Sequence, residues 1–177
     1  MKEKLHSRAI VVNTYDAGEE NAILVEGTLQ DQRMQASRAV LGQETAASRV
    51  VHDLIVRMTV SLPKLRITRI EAEMPVIPHA ACPEIKDCVQ KLVGIEIRHG
   101  FTDDVRNLIG NTQGCIHLMN LILSMGSAAV QGMWAYFSHK KEVSPTAVKD
   151  VDGNLLLDTC WVWRKDGPFA KRLENSR

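Results

Sequence analysis

Two cysteines stand where helices are expected to begin. Cys82 is followed by Pro83, and Cys115 closes the Gly110-Asn111-Thr112-Gln113-Gly114 loop and leads into a long apolar stretch. A helix N-terminus offers unpaired amide hydrogens and the positive end of a dipole, so a thiol there loses its proton more readily and becomes a better nucleophile or metal ligand. His117 lies two residues beyond Cys115, and His52-Asp53 opens a strand-like segment. Thiolate, imidazole and carboxylate are the donors that zinc and iron-sulfur sites use.

The spacing supplies no local motif. With no C-x-x-C pair and no H-E-x-x-H, each donor comes from a different element, and the fold must bring them together. Cys115 and His117 would face nearly opposite sides of one helix, so both serve one site only if Cys115 still belongs to the loop. The leading expectation is a metal- or iron-sulfur-binding accessory protein: Cys82 and Cys115 give thiolates, and Asp53 with His117 or His52 completes the shell around Zn or an Fe-S cluster. A competing reading makes Cys115 a nucleophile for acyl or thioester chemistry, activated by the helix terminus and by His117 or His52. A third is a non-catalytic interaction module with structural cysteines, because free cysteine usually packs as a small hydrophobe. The glycine loop before Cys115 lacks the Lys and Ser/Thr of a phosphate loop.

The elements that must position these groups can be read from periodicity. Arg8 to Tyr15 and Ala22 to Leu29 are rich in β-branched residues and flank turn chemistry, which predicts a hairpin. Gln30 to Ser48 is polar without a firm period and reads as a mobile connection or weak helix. His52 to Val60 alternates Leu54, Val56, Met58 and Val60 on one face, Pro63-Lys64 turns the chain, and Arg66 to Met74 returns as a second hairpin. Cys82-Pro83 opens a helix whose Ile85, Cys88, Val89 and Leu92 form a buried stripe, which assigns Cys88 to the core. Thr102, Asp103 and Asp104 read as the cap of a short helix carrying Val105, Leu108 and Ile109, ended by Gly110. Cys115 to about His139 is apolar nearly all round, the pattern of a central helix, with Met119, Met125 and Met133 as gap fillers. Asp152-Gly153-Asn154 is a turn, and Leu155 to Trp163, containing Cys160, reads as a last strand before a basic tail over 165–177. The expected fold is α+β: an antiparallel sheet of four to five strands, two hairpins plus a C-terminal strand, on a long central helix and two shorter ones.

Composition narrows the classes. A chain of 177 residues fits one domain spanning 1–177. Lys plus Arg number 22 against 21 Asp plus Glu, so no strong field steers nucleic acid or an anionic membrane to the surface. The charged N-terminus lacks a signal-peptide pattern, and no apolar run suffices to span a bilayer, which points to the cytoplasm and reduced thiols. Trp161-Val162-Trp163-Arg164 fits a strand edge or a subunit interface, so a homodimer or protein partner is the expected association.

The order His52-Asp53-Leu54, Glu71-Ala72, Cys82-Pro83, Leu92-Val93-Gly94, Gly100-Phe101, Gly114-Cys115-Ile116-His117-Leu118 and Asp158-Thr159-Cys160 resembles a widespread bacterial family known as a domain of unknown function. The resemblance covers Ser7 to Gly167 and implies no established activity. A histidine often follows the family's last cysteine, where this chain has Trp161, so it sets aside any role needing that imidazole. The hairpin leading into Cys82, with Cys115 at a later helix start, is also similar in order to iron-sulfur cluster assembly scaffolds. Their Cys-Gly-Asp motif is absent here, with His52 in its place, so that likeness is one of topology.

Overall fold

The computed structural model describes residues 2–38, 44–45, 49–140, 157–158 and 160–175. Strands β1 (His6–Asp16), β2 (Ala22–Arg33), β5 (Arg49–Ser61) and β6 (Arg66–Val76) form one antiparallel sheet in the order β1-β2-β5-β6. A small pair, β3 (Ser37–Arg38) and β4 (Glu44–Thr45), lies between β2 and β5 in the chain. A 3-10 helix over Cys82–Leu92, helix α1 (Phe101–Ile109), a 3-10 turn at Asn111–Gln113 and helix α2 (Ile116–His139) follow. This is the expected α+β architecture, two hairpins packed against helices.

One face of the sheet makes the core. Odd-numbered Ile23, Val25 and Leu29 of β2 and even-numbered Leu54, Val56, Met58 and Val60 of β5 are buried, as the two-residue period of a strand requires when one face is covered. Against them lie Leu118, Leu121, Ile122, Met125, Ala129 and Met133 of α2. The close approach of α2 to its neighbours depends on glycine: a Cβ on Gly27 of β2 would stand 2.7 Å from the Met125 sulfur, and one on Gly126 would stand 2.6 Å from the Phe101 ring of α1. Among the described residues no helix is long and apolar enough to cross a membrane.

Several sequence expectations need correction. Gln30 to Arg33 continues β2, and 37–38 pairs with 44–45, so these parts of Gln30–Ser48 are strand where a connection or weak helix is expected, while Met34 to Ala36 are irregular and 39–43 and 46–48 of that segment lie outside the described residues. Its polar residues mislead because the inward position of that strand end holds a charge, Asp31, which breaks the apolar alternation. The segment Cys82–Leu92 is 3-10 rather than α, although Cys88, Val89 and Leu92 are buried as expected. Helix α1 begins at Phe101 with Gly100 as its N-cap at φ 92°, so Thr102, Asp103 and Asp104 fall inside its first turn and cap nothing.

No C-terminal strand is found over Trp161–Trp163, which form a 3-10 turn, and Leu155 and Leu156 lie outside the described residues. The Asp158 amide donates to the Trp163 carbonyl at 3.0 Å and the Trp163 amide to the Cys160 carbonyl at 3.0 Å. The Asp158 carboxylate accepts from the Lys165 amide at 3.0 Å, a side-chain bond of the kind that competes with strand pairing. The expected basic tail carries helix α3 (Pro168–Asn175).

Candidate metal centre

The inward rows of three strands end in polar residues. Along β1, β2 and β5, Ile10, Leu29 and Leu54 are register partners, and two residues further on Arg8 faces Asp31 and Asp31 faces His52. A layer of apolar side chains is thus followed by a layer of guanidinium, carboxylate and imidazole. Helix α2 covers that layer with its first turn, which carries His117.

Asp31 is the centre of the layer and is only 2% exposed. Arg8 grips it with two bonds, Nε to Oδ1 and Nη2 to Oδ2, each 2.7 Å. His52 Nδ1 lies 3.1 Å from Oδ2, and His6 Nε2 lies 3.3 Å from Oδ1. His117 Nε2 stands 3.7 Å from Oδ2, and the His52 and His117 rings lie 3.8 Å apart between centroids, tilted by 33°. Asp31, His52 and His117 thereby form a cluster that could hold a metal ion, with one donor atom of each within 4.8 Å of the others.

The charges follow from this packing. The Arg8 hydrogen bonds, with help from Arg8, His52 and His117 charges, hold Asp31 below the usual carboxylate range against the opposing effect of burial. Burial pushes His52 below the usual imidazole value, outweighing the upward pull of Asp31, and Arg8 and Arg33 push the same way. Burial also lowers His117, reinforced by His52 and Arg8. Both imidazoles therefore favour the neutral, metal-ligating form at neutral pH. A carboxylate can only accept, so His52 donates its Nδ1 hydrogen to Asp31 and keeps a lone pair on Nε2.

Cys82 and Cys115 line the same pocket as the imidazoles, a space of about 320 Å³ whose lining includes His52, His117 and His79, with Leu54 and Met74 on its apolar side. Cys115 is the extended N-cap residue of α2, outside the helix proper, so it and His117 do share one side. Its sulfur lies 3.8 Å from His117 Nδ1. Gly114 makes this entry possible: a Cβ there would stand 2.5 Å from the Ile109 carbonyl oxygen and 3.0 Å from the Cys88 sulfur. Lys91 Nζ fastens the turn by donating to the Gln113 carbonyl at 3.2 Å.

Of the residues singled out in the sequence, His52, Cys82, Cys115 and His117 line one pocket. Asp53 does not join them, because alternation along β5 sends it to the opposite face from His52 and Leu54. Cys160 is exposed, and Cys88 is buried with its thiol pushed up mainly by that burial. Asp31, Arg8 and His6 escape a reading based on motifs. The available signal was a charged residue on the inward parity of a strand, continuing Ile23, Val25 and Leu29.

The family described as "Protein of unknown function (DUF2889)" matches residues 6–131, and the chain belongs to it. No curated protein and no solved structure matches the chain.

Proposed function

We propose that this member of the family binds a transition-metal ion in the pocket, with His52 Nε2 and His117 as nitrogen ligands and Cys82 and Cys115 as thiolates. Asp31 acts from behind, as the carboxylate that holds His52. The observation that carries this reading is the 3.1 Å contact from His52 Nδ1 to a carboxylate already gripped by Arg8. A carboxylate offers about four lone-pair directions, and Arg8, His52 and His6 take them, so Asp31 suits the orienting position better than a ligand position. Mixed imidazole and thiolate donors favour zinc among divalent ions, and the same thiolates could receive an iron-sulfur cluster. A protein of this kind would serve as a metal-binding accessory or carrier.

The test is loading of anaerobically reduced protein with Zn²⁺, Co²⁺, or Fe²⁺ and sulfide. Binding of Co²⁺ with sulfur-to-metal charge-transfer absorption, lost in C115S and H52A, is the expected result. Retention of less than about a tenth of an equivalent of Zn or Fe overturns the proposal.

The contact between Cys115 and His117, with His117 directed at Asp31 from its other nitrogen, favours a second reading in which Cys115 is a nucleophile paired with a base. Alkylation of Cys115 that is no faster than that of a free thiol, and unchanged in H117A, would eliminate it.

A further inference from the structure

The two edges of the sheet are built differently. Edge strand β6 contains Pro75, carries the charges Arg66, Arg69, Glu71 and Glu73, and has two register irregularities against β5. It is also covered near its start by the bridge from Arg66 to Glu96. Prolines, bulges and charges are the devices by which proteins keep a sheet edge from pairing.

Edge strand β1 lacks the proline and the register irregularities, and its charged residues Arg8 and Asp16 are paired within the chain, with Asp31 and Lys140. It runs 11 residues, HSRAIVVNTYD, without proline, lysine or glycine, and its register with β2 is unbroken from His6 to Asp16. Its Arg8 is committed to Asp31. Among the described residues β2 is its one strand partner, so its other row of amides and carbonyls faces outward. Large apolar groups crowd that edge: Ile10 is 38% exposed, Val11 51% and Tyr15 48%. A long, regular, apolar edge of this kind is a template for another strand.

We infer that β1 pairs antiparallel with β1 of a second copy of this chain about a two-fold axis at Val11, joining two four-stranded sheets into one. The strand is complementary to itself in that register. Val11 meets its counterpart once, on the axis, and Ile10 meets Val12 twice, as two-fold symmetry demands. Even-numbered residues stay opposite even-numbered ones, so the helical layers of both copies lie on the same face. The full strand overlaps, and the exposed Ile10 and Val11 side chains are covered. This association also stiffens the strand that delivers Arg8 and His6 to Asp31, although it does not depend on a metal binding there.

Sedimentation and light scattering of the full chain over a range of micromolar concentrations test the inference. The expected mass is twice that of the 19.7 kDa chain. V11K, which sets two ammonium groups against each other at an exposed position, should yield monomer with an unchanged thermal transition. Directly opposed residues in an antiparallel pair have Cα atoms about 4.5–5.5 Å apart, within disulfide reach. In a Cys160→Ser background, V11C should therefore form an 11-to-11 disulfide, two thiols yielding two electrons and two protons to oxidised glutathione, whereas A9C and N13C should cross-link only when mixed. A monomer at every concentration, a dimer indifferent to V11K, or absence of the 11-to-11 bond overturns the inference. So does a monomer whose outward β1 amides resist hydrogen exchange, since another segment of the same chain would then hold the edge.

Discussion

Asp31 on β2 and His52 on β5 are direct register partners, and the register brings His52 Nδ1 to 3.1 Å from the Asp31 carboxylate. The cross-strand pair fixes which imidazole nitrogen stays unprotonated. Replacement by D31N keeps the shape but removes the anion, so His52 loses its tautomer preference and Arg8 its counter-ion. Metal affinity should fall by about 10–100-fold, the usual effect of losing a carboxylate behind a ligating histidine. Competition titration against a chromophoric chelator measures it, and an affinity within a factor of about two of wild type would remove Asp31 from the orienting role.

Arg8 is the other half of that carboxylate's environment. R8A removes two charge-assisted bonds and leaves a buried anion with histidines as its remaining partners. Loss of a hydrogen bond to a charged group costs about 1.5–3 kcal/mol, and this pair should cost at least that much in urea unfolding. R8K should recover only part, because an ammonium cannot reproduce the two parallel bonds.

Stability should depend on pH through the two histidines. His52 and His117 sit below the ordinary imidazole value in the folded protein, so between that lowered value and about 6.5 the unfolded chain binds protons that the native state refuses. Their contribution is therefore complete above pH about 6.5 and declines as pH falls through the lowered folded values. Asp31, held below the carboxylate range, adds a separate loss at lower pH, as its folded value is crossed. Thermal melts from pH 7.5 downward should show a first decline in the imidazole range, and H52Q with H117Q should flatten it. A wild-type curve that stays level until the carboxylate range would contradict this.

Thiol accessibility should separate the four cysteines into three classes. Cys160 is exposed, Cys82 and Cys115 are half-buried in the pocket, and Cys88 is buried. Mass-spectrometric alkylation should modify Cys160 regardless of metal. Cys82 and Cys115 should be modified only in the metal-free protein, and Cys88 only after unfolding. Equal protection of Cys82 and Cys160 by zinc would point to another set of ligands.

Close packing on the two sides of α2 gives a comparison between its contact with the sheet and its contact with α1. G126A drives a methyl into the rigid Phe101 ring of α1, while G27A meets the unbranched Met125 side chain at its Sδ and Cγ, with Leu121 beside it. Overpacking commonly costs about 1–3 kcal/mol. G126A should lie at the upper end of that range and G27A at the lower, and equal losses in denaturant unfolding would refute this account of the two contacts.

Periodicity makes most of the fold legible. Leu54, Val56, Met58 and Val60 disclose the buried face of β5, and Cys88, Val89 and Leu92 disclose a helical stripe, because burial of one face imposes a period on the chain. Two failures have local causes. Leu155 to Trp163 looks apolar enough for a strand, yet over the described part of it Asp158 and Lys165 close a turn around Trp161–Trp163. Thr102, Asp103 and Asp104 have capping chemistry, yet Gly100 takes the left-handed conformation that caps α1 two residues before Thr102.

The site divides along the same line. The amino-acid order determines that thiols open two helical segments, that His117 lies on the first turn of α2, and that His52 lies on the core-facing parity of β5. Those are consequences of short-range chemistry and of strand and helix periods. Which carboxylate joins them is a matter of pairing register, and a shift of one residue would have turned Asp31 outward and changed the partner of His52. Tertiary structure alone chose Asp31 over the neighbouring Asp53 and placed Arg8 across from it, because contacts between strands distant in the chain leave no spacing for the sequence to display.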